Sequence, residues 1–325
     1  MAFTVILLTL AAGFAVLNGA NNGSSLVAIA TTSTSLLPIT AIAVLAGGVV
    51  IGPVLFGTRV ATTLSRNLVP ASGPIGEHAF LAGIIAAMGV IGILAWRRLP
   101  SSLTLATVGG LAGAGFAAGL HVGWSVVLLA VLLAFFAPLA TGLLTFGGSR
   151  VLLTVMPLTS GRGVSRSRLR RLRNASFTLQ SLAYGTNDGQ RMIAVLLVAL
   201  RSRWPGYRPG VLPDTALAGV FALGTVLGTA RMAHGSPGRL TPADTLERSM
   251  ASTMASVAAF SSSTIGIPVS MSQTTTAALV GAHATVGTLR VRWEAASGLL
   301  GAWILTLPAS AALGALCTLA IRALR

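Results

Sequence analysis

Residues 183–192 read AYGTNDGQRM and place a carboxylate, that of Asp188, inside an apolar run that extends from about residue 175 to residue 200. About 20 apolar residues in a helix cross the hydrocarbon of a bilayer, so this run predicts a membrane span. Asp188 is the one acidic residue well inside such a run. Because a charge at the bilayer centre costs several kcal/mol, we expect Asp188 to coordinate a cation or carry a proton. The alternative is a structural ion pair with Arg191, which would otherwise attract an anion.

The composition extends this prediction to the whole chain. Of its 325 residues, 54% are hydrophobic and 9% are charged, whereas about a quarter of the residues of a soluble domain are charged. The runs are rich in Gly, Ala, Ser and Thr, which is typical of closely packed membrane helices and not of barrel strands. The sequence therefore predicts an all-α polytopic membrane protein, with its first run retained. Ten apolar runs lie at about residues 1–17, 36–58, 79–96, 103–120, 122–147, 175–200, 213–230, 249–265, 273–289 and 295–321.

Two polar motifs recur in the same order in the two halves of the chain. GANN at residues 19–22 corresponds to GTND at 185–188, and PSSLT at 100–104 corresponds to PVSMS at 268–272, at offsets of 166 and 168 residues. Offsets so nearly equal indicate a duplicated unit. If each copy has about five membrane segments, the second copy is inverted relative to the first, as in many secondary transporters. The predicted units are a first repeat over 1–159, a basic linker over 160–174 and a second repeat over 175–325.

The arginines lie mainly between the runs, and their distribution predicts an orientation. With an external N-terminus, the cytoplasmic gaps hold 14 Arg and the external gaps and C-terminal tail hold 7. The positive-inside rule therefore predicts a cytoplasmic linker and external termini. A regulatory or lipid-binding role is the alternative for the linker. Topology accounts for the net charge of +16, so no nucleic-acid partner is expected.

Each motif interrupts an apolar run, and we expect a broken or re-entrant helix at each one. Irregular backbone at membrane depth is tolerated only where protein or a water-filled cavity satisfies it, so these breaks are candidate binding sites. A half-helix N-terminus also offers unpaired N–H groups to an anion. This inventory suits a small tetrahedral oxyanion, which needs many converging donors. The hydroxyl donors are Ser102, Thr104, Ser270 and Ser272, and the amides are Asn21, Asn22 and Asn187.

The motif pairs resemble the inorganic phosphate transporter (PiT) family, whose repeats open with a GAND-type sequence and later carry a PVSTT-type sequence. The resemblance covers essentially the whole chain. It is strongest where AYGTNDGQRM is similar to the family's HGTNDAQKTM, and where residues 266–282 read GIPVSMSQTTTAALVGA. It implies inverted repeats, re-entrant helices that meet near the bilayer centre, and phosphate symport driven by Na⁺ or H⁺ without a cofactor. Carried over by position, the substrate and ion ligands are Asn21, Asn22, Ser102, Thr104, Asn187, Asp188, Gln190, Ser270, Ser272 and Gln273, with Asn21, Asn22, Asn187 and Asp188 as candidate Na⁺ ligands.

The chain departs from the family pattern at four positions. Asn22 stands where the family usually has Asp, Leu103 and Met271 replace Thr, and Leu105 replaces the polar residue that the second half retains as Gln273. The predicted site is therefore less acidic and less symmetric than the family pattern. This leaves open proton coupling, an altered stoichiometry and a different anion such as sulfate.

The leading interpretation is a phosphate symporter of the plasma membrane. A permease for another oxyanion and a non-transporting membrane protein are the alternatives. The sequence has no nucleophile elbow, phosphate-binding glycine loop or HExxH pattern, so we do not expect an enzyme. The expected partners are inorganic phosphate and the lipid bilayer, and a homodimer stays open.

Overall fold

The computed structural model describes the chain except for residues 1, 32–35, 98, 100, 160–165, 205, 208–209, 235–244, 286, 288–292 and 325. The described residues form helices and connecting loops, with no strand among them. The helices are α1 Ala2–Asn18, α2 Ser24–Thr31, α3 Pro38–Phe56, α4 Arg59–Thr62, α5 Gly73–Trp96, α6 Leu103–Ala117, α7 Trp124–Thr159, α8 Arg166–Tyr184, α9 Gln190–Arg201, α10 Val211–His234, α11 Thr245–Ile265, α12 Met271–Ala284 and α13 Trp293–Ala323.

Among the described residues, six helical segments are long and apolar enough to cross a membrane. This confirms the prediction of an all-α polytopic membrane protein. The segments are Phe3–Thr31, Pro38–Phe56, Gly73–Trp96, Trp124–Val151, Val211–Ala230 and Ile304–Ala323.

The first pair of motifs does not break its helices, contrary to the expectation. Gly19–Gly23 forms a π-helical turn that joins α1 to α2, and Gly185–Gly189 forms another that joins α8 to α9. In the first of these turns the N–H of Ser24 donates to the carbonyl of Gly19. The wider turn keeps its backbone hydrogen-bonded, so it exposes no row of free N–H groups. Single π-turns inside α-helices are frequent at functional sites.

The second pair of motifs is irregular, as expected. The chain is non-helical at residues 101–102 and 266–270, and α6 and α12 begin directly afterwards. Ser102 Oγ accepts the N–H of Leu105 at 3.3 Å and so caps the first turn of α6. With 15 and 14 residues, α6 and α12 are too short to cross a bilayer. The pairs α5–α6 and α11–α12 are therefore two helical hairpins. Residues 266–270 of the second hairpin loop are buried, whereas Trp96 and Leu99 in the first connection are exposed.

The two halves of the chain exchange partners where their helices pack. The short helix α6 lies along α13, where Gly109 and Gly113 bring its backbone against Leu307 and Ala311. In the same way α12 lies along α7, with close contact at Gly142. The hairpin of each half is thus held by the long helix of the other half. Glycine makes these contacts because any side chain would separate the backbones.

The continuous helical segments α1–α2 and α8–α9 occupy corresponding positions of the two halves, and they run antiparallel where α1 packs on α9. Thr4 Oγ1 and Ser202 Oγ lie 3.3 Å apart at one end, whereas Asn22 Nδ2 and Asp188 Oδ2 meet at 3.4 Å further along. Because α1 and α9 meet in this reversed order, their directions are opposite. An inverted repeat requires this relation, and the repeat boundaries stay predictions.

The chain ends lie together at one end of the molecule. The ring of Phe3 stacks on His78 with centroids 4.5 Å apart, and Leu7 shares a small apolar cluster with Ile321. The helix that starts at Arg166 runs towards this end and reaches it at Ser202, so Arg166 lies at the opposite end, called here the linker end.

Part of the predicted linker is helical. Residues 160–165 lie outside the described part of the chain, but α8 already begins at Arg166 and includes residues 166–174. No Gly or Pro occurs within α8. Arg and Leu are good helix formers, which explains why the helix extends into the charged segment.

Adjacent glycines of α3 provide a test of the close packing. A Cβ at Gly48 would lie 2.2 Å from the carbonyl oxygen of Ser181, whereas a Cβ at Gly47 meets nothing within 4 Å. We expect Gly48→Ala to lower the stability by about 1–3 kcal/mol through overpacking. Gly47→Ala is the matched control and should not lower it. The measurement is the melting temperature of each purified variant in detergent, and equal melting temperatures would contradict this helix contact.

Candidate functional site at the hairpin tips

A fully buried ion pair lies where the halves meet. Asp188 Oδ1 is 2.8 Å from Arg191 Nη2, and neither side chain has any exposed surface. The π-turn supplies Asp188, and the first turn of α9 supplies Arg191. Arg191 is also the largest fully buried side chain among the described residues. The contact between these two residues, raised from the sequence as an alternative, is present. The expectation that Asp188 coordinates a cation or carries a proton stays a prediction.

Both hairpins reach this ion pair. Arg191 Nη1 donates to Thr104 Oγ1, which belongs to the first turn of α6. The main-chain N–H of Met271, the first residue of α12, faces the Asp188 carboxylate. Arg191 thus contacts the hairpin of the first half, and Asp188 contacts the hairpin of the second half.

A chain of buried amides extends from the ion pair. Asn22 Nδ2 is within hydrogen-bond distance of Asp188 Oδ2 at 3.4 Å and of Asn18 Oδ1 at 3.2 Å. The Tyr184 hydroxyl donates to the same Asn18 oxygen at 2.9 Å. Asn18 and Tyr184 were not among the residues predicted from the sequence. The sequence spacing could have identified them. Asn18 precedes Asn22 by four positions and Tyr184 precedes Asp188 by four, which places each pair on one helix face.

Asn187 is engaged with the second hairpin. Its Oδ1 accepts the N–H of Val269 at 3.0 Å, and its Nδ2 donates to Ser262 Oγ at 2.7 Å and Ser263 Oγ at 3.2 Å. These bonds hold the hairpin loop against the π-turn. Asn21, at the corresponding position, is half-buried and donates to Asn22 Oδ1 at 3.1 Å.

Gln190 lies outside this cluster, although it was a predicted ligand. Its Nε2 donates to the carbonyls of Gly57 and Thr186 at 2.7 Å each, and its Oε1 accepts the N–H of Ala61 at 3.1 Å. Gly57 has a φ of 79° between α3 and α4. The Gln190 side chain therefore hydrogen-bonds to main-chain groups at the break between α3 and α4.

The remaining predicted residues lie at the starts of the short helices. Ser270 Oγ and Ser272 Oγ are 3.0 Å apart before and within the first turn of α12. Gln273 is buried, and neither of its side-chain polar atoms has a hydrogen-bond partner among the described residues. An unpaired buried amide is unfavourable unless a ligand or water meets it. Gln273 thus has the free hydrogen-bonding groups that a ligand residue needs.

These groups can bind an oxyanion and a hard cation at neighbouring positions. A guanidinium offers two parallel N–H donors to an oxyanion, and hydroxyls at a helix start add further donors. The Asp188 carboxylate and the amide oxygens suit a cation that prefers oxygen ligands. Within the described ranges no three His, Cys, Asp or Glu side chains converge on a transition-metal site.

Known proteins resemble this chain over nearly its whole length. The model of the phosphate transporter family matches residues 18–160 and again residues 160–314. A probable low-affinity inorganic phosphate transporter of Rhizobium meliloti is 30% identical over 331 residues, covering 96% of this chain and 94% of that protein. Its counterpart in Bacillus subtilis is 27% identical, with coverage of 96% and 95%. A solved structure described as the sodium-dependent phosphate transporter has the same fold, with a TM-score of 0.82 over the full length of both chains at 18% identity. The chain belongs to the phosphate transporter family.

Proposed function

We propose that this protein carries inorganic phosphate across the plasma membrane by symport with Na⁺ or H⁺. The observation that carries the proposal is the buried ion pair of Asp188 and Arg191 between two hairpin tips. The family and the names of the relatives support phosphate as the substrate. The charges at the centre support coupling to a cation.

Arg191 is the group on which the phosphate binds. Its Nε has no hydrogen-bond partner among the described residues, so the guanidinium has donor capacity beyond its contacts with Asp188 and Thr104. An entering phosphate takes over the donors that now face Asp188, because two oxygens of the anion match the planar fork. The hydroxyls of Ser270 and Ser272 complete the anion's hydrogen bonds.

The exchange at Arg191 explains the coupling. Once phosphate occupies the guanidinium, Asp188 becomes a buried carboxylate without its counter-ion. Such a charge is strongly unfavourable and must take up a cation or a proton. The neighbouring amide oxygens of Asn22 and Asn18 complete the ligands of a cation. Phosphate and the coupling ion therefore bind together and leave together.

The second candidate function is transport of another oxyanion, sulfate first. It is favoured by Asn22, because the amide leaves one carboxylate at the centre where the family pattern has two. Phosphate is the better match on hydrogen bonding, since hydrogen phosphate carries an O–H that sulfate lacks. Asp188 is the acceptor that this O–H finds.

The proposed orientation places the linker end in the cytoplasm and both termini outside. It is supported by the 14 Arg assigned to cytoplasmic gaps against 7 assigned to external ones. In this orientation α8 emerges on the cytoplasmic side with its arginines.

Uptake by purified protein in liposomes tests the substrate. Radiolabelled phosphate should accumulate when an inward Na⁺ or proton gradient is imposed, and should not accumulate without one. Excess unlabelled sulfate should not compete. Protein-free liposomes are the control. Accumulation of sulfate in place of phosphate would establish the second candidate, and uptake of neither would contradict a transport function.

Separate substitutions at the corresponding positions Asp188 and Asn22 test the coupling. Asp188→Asn should abolish gradient-driven phosphate accumulation, because the amide cannot balance the cation. Asn22→Asp should still transport but with a changed dependence on Na⁺ or pH, because the second buried charge must find a cation or a proton. Asp214→Asn makes the same chemical change outside the site and should leave accumulation intact.

Stability must be separated from coupling in this test. Asp188→Asn leaves Arg191 without its counter-ion, which destabilises a protein by about 3–5 kcal/mol. The double variant Asp188→Asn with Arg191→Gln removes both charges and should recover abundance but not accumulation. Full gradient-driven accumulation by Asp188→Asn would show that the coupling ion binds elsewhere.

A further inference from the structure

The face of α8 towards the second hairpin is polar along its length. Arg173, Gln180 and Asn187 follow one another at seven-residue spacing, which places them on one helix face. Their exposed fractions are 3%, 0% and 0%. A row of buried polar side chains in an apolar helix interface is unfavourable, so it calls for a physical reason.

A matching row lies on the other side of this interface. Ser249, Ser256 and Ser263 repeat at the same spacing on α11 and are also buried. Ser263 Oγ is 3.2 Å from Asn187 Nδ2, so the two rows face each other. We call the interface of α8 with α11 and α12 the polar seam. It runs from the central ion pair to the linker end.

Gln180 lies halfway along the polar seam and is incompletely bonded. Its Nε2 donates to Thr275 Oγ1 of α12 at 2.9 Å. Its Oε1 has no hydrogen-bond partner among the described residues, although the side chain is fully buried. A buried acceptor without a donor is unfavourable unless a polar group of a ligand or a water meets it. A ligand that both accepts and donates hydrogen bonds, such as hydrogen phosphate, fits this pair of side chains.

The corresponding interface of the first half is apolar. At the repeat offset of 166 residues, Arg173 and Gln180 correspond to Leu7 and Phe14. At the offset of 168, Ser249 and Ser256 correspond to Leu81 and Met88. Leu7 and Leu81 belong to one apolar cluster. Helix packing alone therefore does not require polar residues at these positions, and the polar seam is a property of the linker end.

The charges at the mouth of the polar seam favour an anion. Arg173 and Arg248 are close enough to interact electrostatically. Glu247 lies 3.4 Å from the Nε2 of His283 across the base of the hairpin. Arginines at an opening raise the local concentration of an anionic substrate.

We infer that phosphate passes between the central site and the linker end through the polar seam, and that Gln180 with Thr275 binds it on the way. This inference rests on the proposed transport of phosphate. The hairpin α11–α12 separates from α8 to open the seam. The amide nitrogen and the hydroxyl donate to the phosphate oxygens, and Gln180 Oε1 accepts the phosphate O–H.

Cysteine accessibility tests the inference in a Cys317→Ala background, which removes the single native cysteine. Ser256→Cys and Thr275→Cys probe the seam, and Arg166→Cys marks the linker end. Leu179→Cys is the matched control, because Leu179 adjoins Gln180 but lies on the outer surface, 37% exposed. The probe is the membrane-impermeant anion 2-sulfonatoethyl methanethiosulfonate, applied to inside-out and to right-side-out vesicles.

We expect the seam cysteines to react from the same side as Arg166→Cys. Their rate should exceed that of Leu179→Cys at least about tenfold, because the reagent reacts with the thiolate and an apolar environment disfavours the thiolate. Saturating inorganic phosphate should slow the reaction at the seam and leave that of Arg166→Cys unchanged.

Two results would overturn the inference while phosphate uptake by the wild type still stands. One is no reaction from the linker side at either seam cysteine. The other is a reaction that phosphate does not slow. Absence of phosphate uptake by the wild type would instead refute the proposed function, and labelling without phosphate would then still show whether the seam opens to water.

Discussion

The buried ion pair of Asp188 and Arg191 is the constraint on which the rest of the structure depends. Two opposite charges without contact to water are stable together, whereas either one alone is strongly unfavourable. The surroundings therefore hold both partners. The π-turn positions Asp188, and hairpin residues Thr104 and Met271 reach one partner each. Because the pair is neutral as a whole, the centre can close around it, and a substrate that separates the charges must bring a cation.

Close backbone packing holds the helices around this central arrangement. Gly48 and Gly185 bring α3 against the helix that carries Asp188, and a Cβ at Gly185 would lie 1.8 Å from the Gly48 carbonyl oxygen. On the other side, α13 and α7 hold the short helices of the opposite hairpins. Each half thus supports the site of the other. The two halves differ in the helix interface that runs outward from the centre. In the second half this interface is the polar seam, and in the first half the corresponding interface is apolar.

Much of the fold and of the candidate site could be predicted, because a charge in an apolar run and a repeated polar motif are strong sequence signals. Asp188 was identified from its position in an apolar run, and the breaks before α6 and α12 from their Pro and Ser residues. The π-turns were not predicted, since both helix breaking and a wider turn are compatible with Gly and Asn. Gln190 was assigned as a ligand by its position in the family motif, but its side chain donates a hydrogen bond to the carbonyl of Gly57. Asn18 and Tyr184 were missed because they lie one turn outside the motifs.

The most direct measurement is a cryo-electron microscopy structure of the protein with saturating phosphate and coupling cation. Our account predicts phosphate density on the guanidinium of Arg191, within hydrogen-bond distance of Thr104 and Ser270. The Asp188 carboxylate should have left Arg191, and it should either coordinate the cation or be protonated. Phosphate bound elsewhere, with the ion pair of Asp188 and Arg191 still intact at its present distance, would contradict the exchange of partners on which the account rests.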